Sequence, residues 1–449
     1  MQQLMDGDQH FLGLFQTEGS AFHGEIIYNK EHGEILLSIQ YPTKEGLESP
    51  RGTIPRITGQ LNTGAAITLY QNVCIHNNTK LFQNQQFVFR SKYFILGEHQ
   101  ETYNRLTCVL ENGLNWSGLS ALDLSDYSNV KLKPFDPPEY HWFDSSIRFY
   151  TECHNELFSF PRKEVCSVAE HLVLEIDSEE KQAVYYFMQV RDKVMALISF
   201  AIKDNVNIEE QFLTDFDDYD EFGKDKHYDR RSFVSSEPYS YPVNTPIHDY
   251  NFIRTQLSND ENIQEALTKL EPIFNLYQSL FKYPNMPVEM VFLNTVQALE
   301  TYHSRFYYND KKKKYVECVN KRFGANPHFE HLKKLLLNDT QMDPNCNYII
   351  LVSRLNDLLI GQFNGLFSGF YMEDDTYAQR IADTRHYYTH YSKSKEGIAF
   401  RGDDLYDAIY ILRLLLEYYI CFSLKINIEQ KTRRALALYR RGKEANNRQ

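Results

Sequence analysis

The feature that most constrains this chain is a change of hydrophobic period along its length. In the first ~150 residues apolar side chains recur in short, roughly alternating runs, which puts one face of a strand toward a core. Gly24-Glu25-Ile26-Ile27-Tyr28, a turn at His32-Gly33 and Glu34-Ile35-Leu36-Leu37-Ser38-Ile39 read as a β-hairpin. Further runs lie at Ile57 to Leu61, Ala66 to Tyr70, Phe87 to Ile95 and Leu106 to Leu110, with Gly, Asn and Pro between them. Asn112-Gly113 and Pro137-Pro138 add turn signals. That spacing predicts an antiparallel sandwich or barrel.

Over residues ~165–205 the period changes. Val184, Phe187, Met188, Arg191, Met195, Ile198 and Ile202 recur at helical spacing, so a helix is expected to pack beside the β region. Residues ~214–247 are acidic, rich in Tyr and interrupted by Pro242 and Pro246, and read as a long loop or linker. From ~250 onward the pattern is helical, with candidate helices at ~260–282, ~287–308, ~328–338, ~348–367, ~374–393, ~403–424 and after 428. Asn259 and Asp403 are candidate caps of the first and sixth. The expected fold is α+β multidomain: a β-rich N-terminal domain over 1–250, with a packed helix near 181–202, followed by an all-α helical bundle over 251–449.

The 449 residues exceed one ordinary core, and a content of 42% hydrophobic and 14% aromatic residues can fill several. A formal net charge of −12 argues against a protein that coats nucleic acid through its global field, though not against a local basic groove. The seven cysteines are odd in number, scattered and never spaced Cys-x-x-Cys, which points to a reducing cytosol rather than to disulfides or structural zinc. Met1 to Asp6 lacks the basic start and apolar stretch of a secretory signal. The most apolar helical stretches carry Arg191, Asp192 and Lys193, or Arg413 and Glu417, and read as buried helices, not membrane spans. The expectation is a soluble, cytoplasmic protein with no membrane association.

The run Arg385-His386-Tyr387-Tyr388-Thr389-His390 carries the clearest chemistry. A guanidinium can hold a scissile phosphate and stabilise its developing charge. An imidazole, whose ordinary pKa lies near neutrality, can take the proton of an RNA 2′-hydroxyl or give one to the leaving 5′ oxygen. Such cleavage needs no metal and no cofactor. Five residues at about 100° each place Arg385 and His390 about 140° apart around a helix axis. They do not share a face, so a cleft completed by a second copy of the domain is the simplest solution, and a homo-oligomer is expected.

Arg-polar-x-x-x-His on a late helix of a helical bundle resembles the HEPN superfamily of ribonucleases. Leu299-Glu300, on a long helix over Phe292 to Phe306, resembles the acidic helix that precedes that motif. The β-rich half, with Ile57-Thr58-Gly59, Ile67-Thr68-Leu69 and Asn115-Trp116, is similar to the N-terminal domain of ApeA-type proteins. The resemblance implies an anti-phage, abortive-infection effector whose HEPN endoribonuclease is activated on infection. It further implies a phage-derived trigger, expected to be a protein, and an RNA substrate for which tRNA is a candidate. His390 would be the general acid/base and Arg385 the phosphate ligand, with His386 and Asp383 tuning them and Glu300 supplying a polar contact. Where the family commonly has Asn after the Arg, this chain has His386.

Rival readings stay open at this point. Asp383, His386 and His390 stand at i, i+3 and i+7, a spacing that can ligate a transition metal, though without the His-Glu-x-x-His pattern. Glu300-Thr301-Tyr302-His303 matches half of a carboxylate di-iron site, and no second copy is present. Asp215 to Asp220 lacks the Gly and Glu of a calcium loop. Lys311, Lys312, Lys313 and Lys314, with the basic tail from Lys425 to Gln449, are candidate RNA contacts, and Tyr387 and Tyr391 are candidates for stacking an unpaired base. The bland alternatives are solvated charge and helix packing, with Arg385 pairing Asp383 or Asp404. On that reading the bundle is a non-catalytic binding or dimerisation module beside a ligand-recognising β-domain. Phosphate-loop, dinucleotide and Gly-x-Ser-x-Gly motifs are absent.

Overall fold

The computed structural model describes residues 9–17, 20–29, 33–41, 53–78, 85–97, 100–111, 113–123, 131–132, 137–156, 167–216, 231–235, 250–283, 285–308, 311–323, 330–337, 349–360, 367 and 376–446. The chain divides into two compact units. Residues 1–195 and 205–251 form the first, and residues 196–204 and 252–449 the second. Among the described residues no helix is long and apolar enough to cross a membrane.

In the first unit, alternating hydrophobicity closes a barrel. Strands β1 (Gln9–Thr17), β2 (Ser20–Asn29), β3 (Glu34–Tyr41), β4 (Thr53–Leu61), β5 (Ala66–Asn78) and β6 (Gln85–Ser91) pair in the order β5-β4-β1-β2-β3-β6, and β6 returns to β5. All these pairings are antiparallel, and closure leaves few free edges. The interior is filled by Phe15, Ile26, Ile35, Leu37, Ile57 and Leu69, each fully buried. Two glycines make room for the largest of them. Phe15 packs so closely on Gly59 that a Cβ there would sit 2.5 Å from the Phe15 ring, and one at Gly24 would lie 3.0 Å from its other edge.

The strand run Phe87 to Ile95, read from sequence as one element, is two. β6 ends at Ser91 and β7 (Tyr93–Leu96) follows, both facing β5 across Lys92. The parting is held by a buried amide. Asn72 donates to the carbonyls of Ile54 and Leu69 at 3.1 Å each and accepts from the Ser91 hydroxyl at 2.7 Å. From β7 a second sheet grows outward through β15 (Arg231–Ser235), β14 (Ile208–Thr214), β8 (Thr102–Leu110), β13 (Ser167–Ala183), β12 (Ser145–Glu156) and β11 (Glu139–Trp142). A short helix α1 (Gly113–Ser117) and a small ladder of β9 (Leu122–Asp123) with β10 (Lys131–Leu132) complete the β region.

Two expectations are corrected here. The helical period expected from ~165, with a helix from 181, begins only at Val184, where helix α2 (Val184–Ile202) starts; residues 167–183 are the long strand β13. Leu172 to Ile176 are all buried between β12 and β8, so no alternation of buried and exposed residues marks the strand. The stretch 214–247 contains β15, whose Phe233 is buried at 2% exposure; residues 217–230 and 236–249, including most of the acidic run after Asp215, lie outside the described residues. The side chains of Asn115 and Trp116 also lie outside them.

The second unit is helical. Its elements are α3 (Tyr250–Gln256), α4 (Glu261–Lys282), α5 (Val288–His303), a π-helical turn over Ser304–Tyr308, α6 (Lys312–Phe323), α7 (Glu330–Leu337), α8 (Leu351–Ile360), α9 (Tyr377–His390), α10 (Asp403–Ser423) and α11 (Glu429–Asn446). Helix α5 is the hub, packed against α4, α8, α9 and α10. Its Phe292, Val296, Leu299 and Tyr302 recur at three- and four-residue spacing and are at most 1% exposed. Leu405, Ala408, Leu412, Leu415, Leu416 and Tyr419 form the matching stripe of α10. Helix α6 was not foreseen, because its four-lysine start hides Tyr315 and Val319, which join Leu336 and Leu337 in a smaller core. The caps also differ from expectation. Asp260, not Asn259, caps α4 by accepting from the Asn262 N–H at 2.8 Å. Gly402, with φ 52°, precedes α10, whose first residue is Asp403.

Replacing Gly59 by Ala should overpack the barrel and lower stability by about 1–3 kcal/mol, read as a fall in the barrel's melting temperature. A second expectation concerns Asp260, whose carboxyl is held down to about 2 by Lys425 and by the N–H bonds of Asn262. Because that folded value lies below the ordinary 3.8, the stabilisation is present above the ordinary value and is lost as pH falls through about 2. Asp260→Asn should therefore melt below wild type at about pH 6, with the gap narrowing as pH is lowered.

Candidate functional site

Helix α9 positions most of the candidate residues. It buries Ala378, Ile381, Asp383 and Thr384 against its neighbours and exposes His386, Thr389 and His390. Two bonds to one backbone position pin it. The Phe400 N–H donates to the Thr384 hydroxyl at 3.0 Å, and the Tyr388 hydroxyl donates to the Phe400 carbonyl at 2.9 Å. The Tyr388 ring meets Phe292 of α5 edge-on, with centroids 6.4 Å apart. The helix then stops at Tyr391, whose left-handed φ of 48° ends the ladder while its N–H still reaches the Tyr387 carbonyl.

Arg385 leaves α9 toward α5. Its Nη2 lies 3.3 Å from Oε2 of Glu300, with the two side chains 43% and 28% exposed. A half-exposed pair of this length is weak, so it orients the guanidinium without locking it. The structure thus brings Glu300 and Arg385 together. His390 lies elsewhere on the helix: its ring sits against that of His386, with centroids 4.8 Å apart and planes 52° apart. No contact joins Arg385 to His390 among the described residues.

The rival pairings of the same residues are not formed. Asp404 takes Arg380 at 3.2 Å. Asp383 is buried and taken by Lys395 at 2.7 Å and by the Gln379 amide at 3.2 Å. Among the described residues no group of three or more His, Cys, Asp or Glu side chains could hold a metal ion, so the three-ligand reading of Asp383, His386 and His390 is overturned. The Glu-x-x-His reading fails for a related reason. His303 points inward, fully buried, and its Nε2 lies 2.9 Å from Asp357 Oδ2, while the other oxygen of Asp357 takes Arg322 at 3.0 Å. Asp357 and Arg322 escaped sequence reasoning. Asp357 sits in the run Leu351 to Ile360, where nothing marks it as the partner of a histidine 54 residues earlier.

The candidate RNA contacts are dispersed. Lys311, Lys313 and Lys314 are exposed and Lys312 half-buried at the start of α6, which packs on α7 and the π-helical turn. Tyr387 is engaged by Arg401, which lies over its ring at 4.9 Å and donates to its hydroxyl at 2.8 Å. Tyr391 is 69% exposed at the end of α9. Part of the basic tail is neutralised locally, with Lys425 bonded to Asp260 and Arg433 paired to Glu429 at 2.6 Å.

Comparison with known families accounts for both halves. The model for ApeA N-terminal domain 1 matches residues 10–270. The chain belongs to the ApeA family. The model for the Apea-like HEPN domain matches residues 293–430 of this ApeA protein, a stretch that contains Glu300 and the whole run from Arg385 to His390. No curated protein and no solved structure matched the chain. The expected recognition and fold class are borne out: a β-rich ApeA half precedes a helical HEPN half. HEPN domains are commonly nucleases, and this domain content is that of anti-phage defence with a nuclease-like module.

The inward side of α5 sets a stability expectation. Asp357→Ala leaves His303 without its carboxylate and Arg322 without its partner, and should destabilise the helical unit by about 3 kcal/mol, measured by denaturant unfolding of the full chain.

Proposed function

We propose that this ApeA protein is a metal-independent endoribonuclease acting in the cytoplasm as an abortive-infection effector. The observation that carries the reading is Arg385, oriented by Glu300 at 3.3 Å on the same helix turn region that exposes His390. In the reaction, the 2′-hydroxyl oxygen attacks the adjacent phosphorus and the bond to the 5′ oxygen breaks. The products are a 2′,3′-cyclic phosphate and a free 5′-hydroxyl. The proton lost by the 2′-hydroxyl and the proton gained by the 5′ oxygen are the two transfers an imidazole can serve, and His390 is assigned that role. Arg385 is assigned to the phosphate oxygens, where charge builds up. The phosphate would compete with Glu300 for the guanidinium, which the weakness of the exposed pair allows.

Asp383, bonded to Lys395, and His386, against His390, are assigned positioning roles. Since Arg385 leans to α5 and His390 to the His386 face, a homodimer in which two copies of α9 complete one cleft is the arrangement that unites them. Lys311 to Lys314 would meet the RNA backbone, with Tyr391 and Tyr387 beside unpaired bases. The β-rich domain, over 1–250, is assigned to sensing a phage-derived protein and restraining the helical domain of 251–449; tRNA is the candidate substrate.

Arg385→Ala and His390→Ala should each lower RNA cleavage by about 10²-fold or more, and wild type should keep its activity in EDTA. In infected cells, wild type should suppress phage growth and neither variant should. Equal cleavage and equal protection by all three proteins would contradict the assignment. RNA binding with no turnover in infected-cell extract would favour a non-catalytic module.

A further inference from the structure

His386 and His390 stand four residues apart at the C-terminal end of α9, so a 400° turn returns them to one face about 40° apart. Their rings already meet, with centroids 4.8 Å apart, and both side chains are exposed. Exposure leaves the rings free to rotate until two ring nitrogens face one point. Two neutral imidazoles at this spacing form a chelate for a divalent transition ion, with metal–nitrogen bonds of about 2.0–2.1 Å for zinc. The backbone favours a cation at the same place, because the unpaired carbonyls of a helix C-terminus carry partial negative charge. The neighbouring charges do not block it. Arg385 is directed to Glu300, and the charge of Lys395 is met by Asp383 at 2.7 Å, one turn before His386.

We propose that His386 and His390 form a two-ligand surface site for a divalent transition-metal ion, zinc in the first instance, and that the bound ion inhibits the protein. With no third His, Cys, Asp or Glu in reach among the described residues, the remaining positions on the ion go to water, so binding is reversible and the ion is a ligand, not a structural element. A ring nitrogen coordinated to the ion carries no exchangeable proton. An occupied site therefore takes up the ring lone pair with which His390 would accept a proton. Binding follows from the histidine geometry alone; inhibition rests on the function proposed above. His386 is what turns an acid/base histidine into half of a chelate.

The test is zinc titration of the full, untagged chain by calorimetry after removal of chelator. Wild type should bind about one Zn²⁺ per chain at this site with roughly micromolar affinity. His386→Ala and His390→Ala should each weaken that binding at least about tenfold, and the double variant should abolish it. Arg385→Ala should bind as wild type does, whatever happens to cleavage, which separates this site from the nuclease assignment. The double variant's unfolding midpoint checks that the loss is local. In a parallel assay, zinc should suppress wild-type RNA cleavage over the range that fills the site, and EDTA should restore it. Unchanged zinc binding by the double variant, or no binding by wild type at about 1 mM, overturns the site. Binding that leaves cleavage untouched overturns the inhibition.

Discussion

The packing of α5 at the centre of the helical unit is the constraint on which the candidate site depends. Phe292, Val296, Leu299 and Tyr302 commit one side of the helix to the core, and that fixes where the polar residues between them must point. Glu300 is turned outward and meets Arg385; His303, three residues on, is turned inward and meets Asp357. One helix therefore separates the polar residues that solvent can reach from those that hold the bundle together. The same packing sets the position of α9, because the Phe292 ring is what Tyr388 rests on.

The β half is organised by a different constraint, the need to close a sheet around large aromatic side chains. Phe15 fits only because Gly59 and Gly24 stand across from it, so the barrel's cross-section is set by two residues with no side chain. Where β6 passes into β7 the barrel cannot continue as a simple ladder, and Asn72 supplies the missing backbone partners. That parting lets one strand run serve both the closed barrel and the outer sheet. A network of charges lies on that outer sheet. Arg105 and Arg148 there face Glu175 and Asp177, and burial raises the Glu175 carboxyl above its ordinary range against the pull of both guanidinium groups.

Much of this was legible in the sequence, for reasons that also explain the exceptions. The hairpin of β2 and β3 and the stripe of α10 were readable because one face of each is buried and the other is not, which writes a period into the sequence. Strand β13 is buried on both faces through Leu172 to Ile176, and there the period vanishes. Helix α6 was hidden by its lysines, and Asp357 by its distance from His303 along the chain. At the candidate site, the motif from Arg385 to His390 and the acidic residue Glu300 were visible as residue types. Which of them touch was not. The contact of Arg385 with Glu300, the withdrawal of Asp383 to Lys395 and the contact of the two histidines depend on how α5 and the segment after α9 lie against the helix.

In the proposed reaction RNA supplies its own nucleophile, and Arg385 and His390 assist it without a metal. The most direct measurement compares two otherwise identical RNA substrates, one carrying a 2′-deoxy sugar at the cleaved position, with the full chain in EDTA. The ribose substrate should be cut to a 2′,3′-cyclic phosphate end, and the deoxy substrate should be bound but left whole. Cleavage of the deoxy substrate at that position, or cleavage of the ribose substrate only when metal is restored, would contradict the proposed reaction.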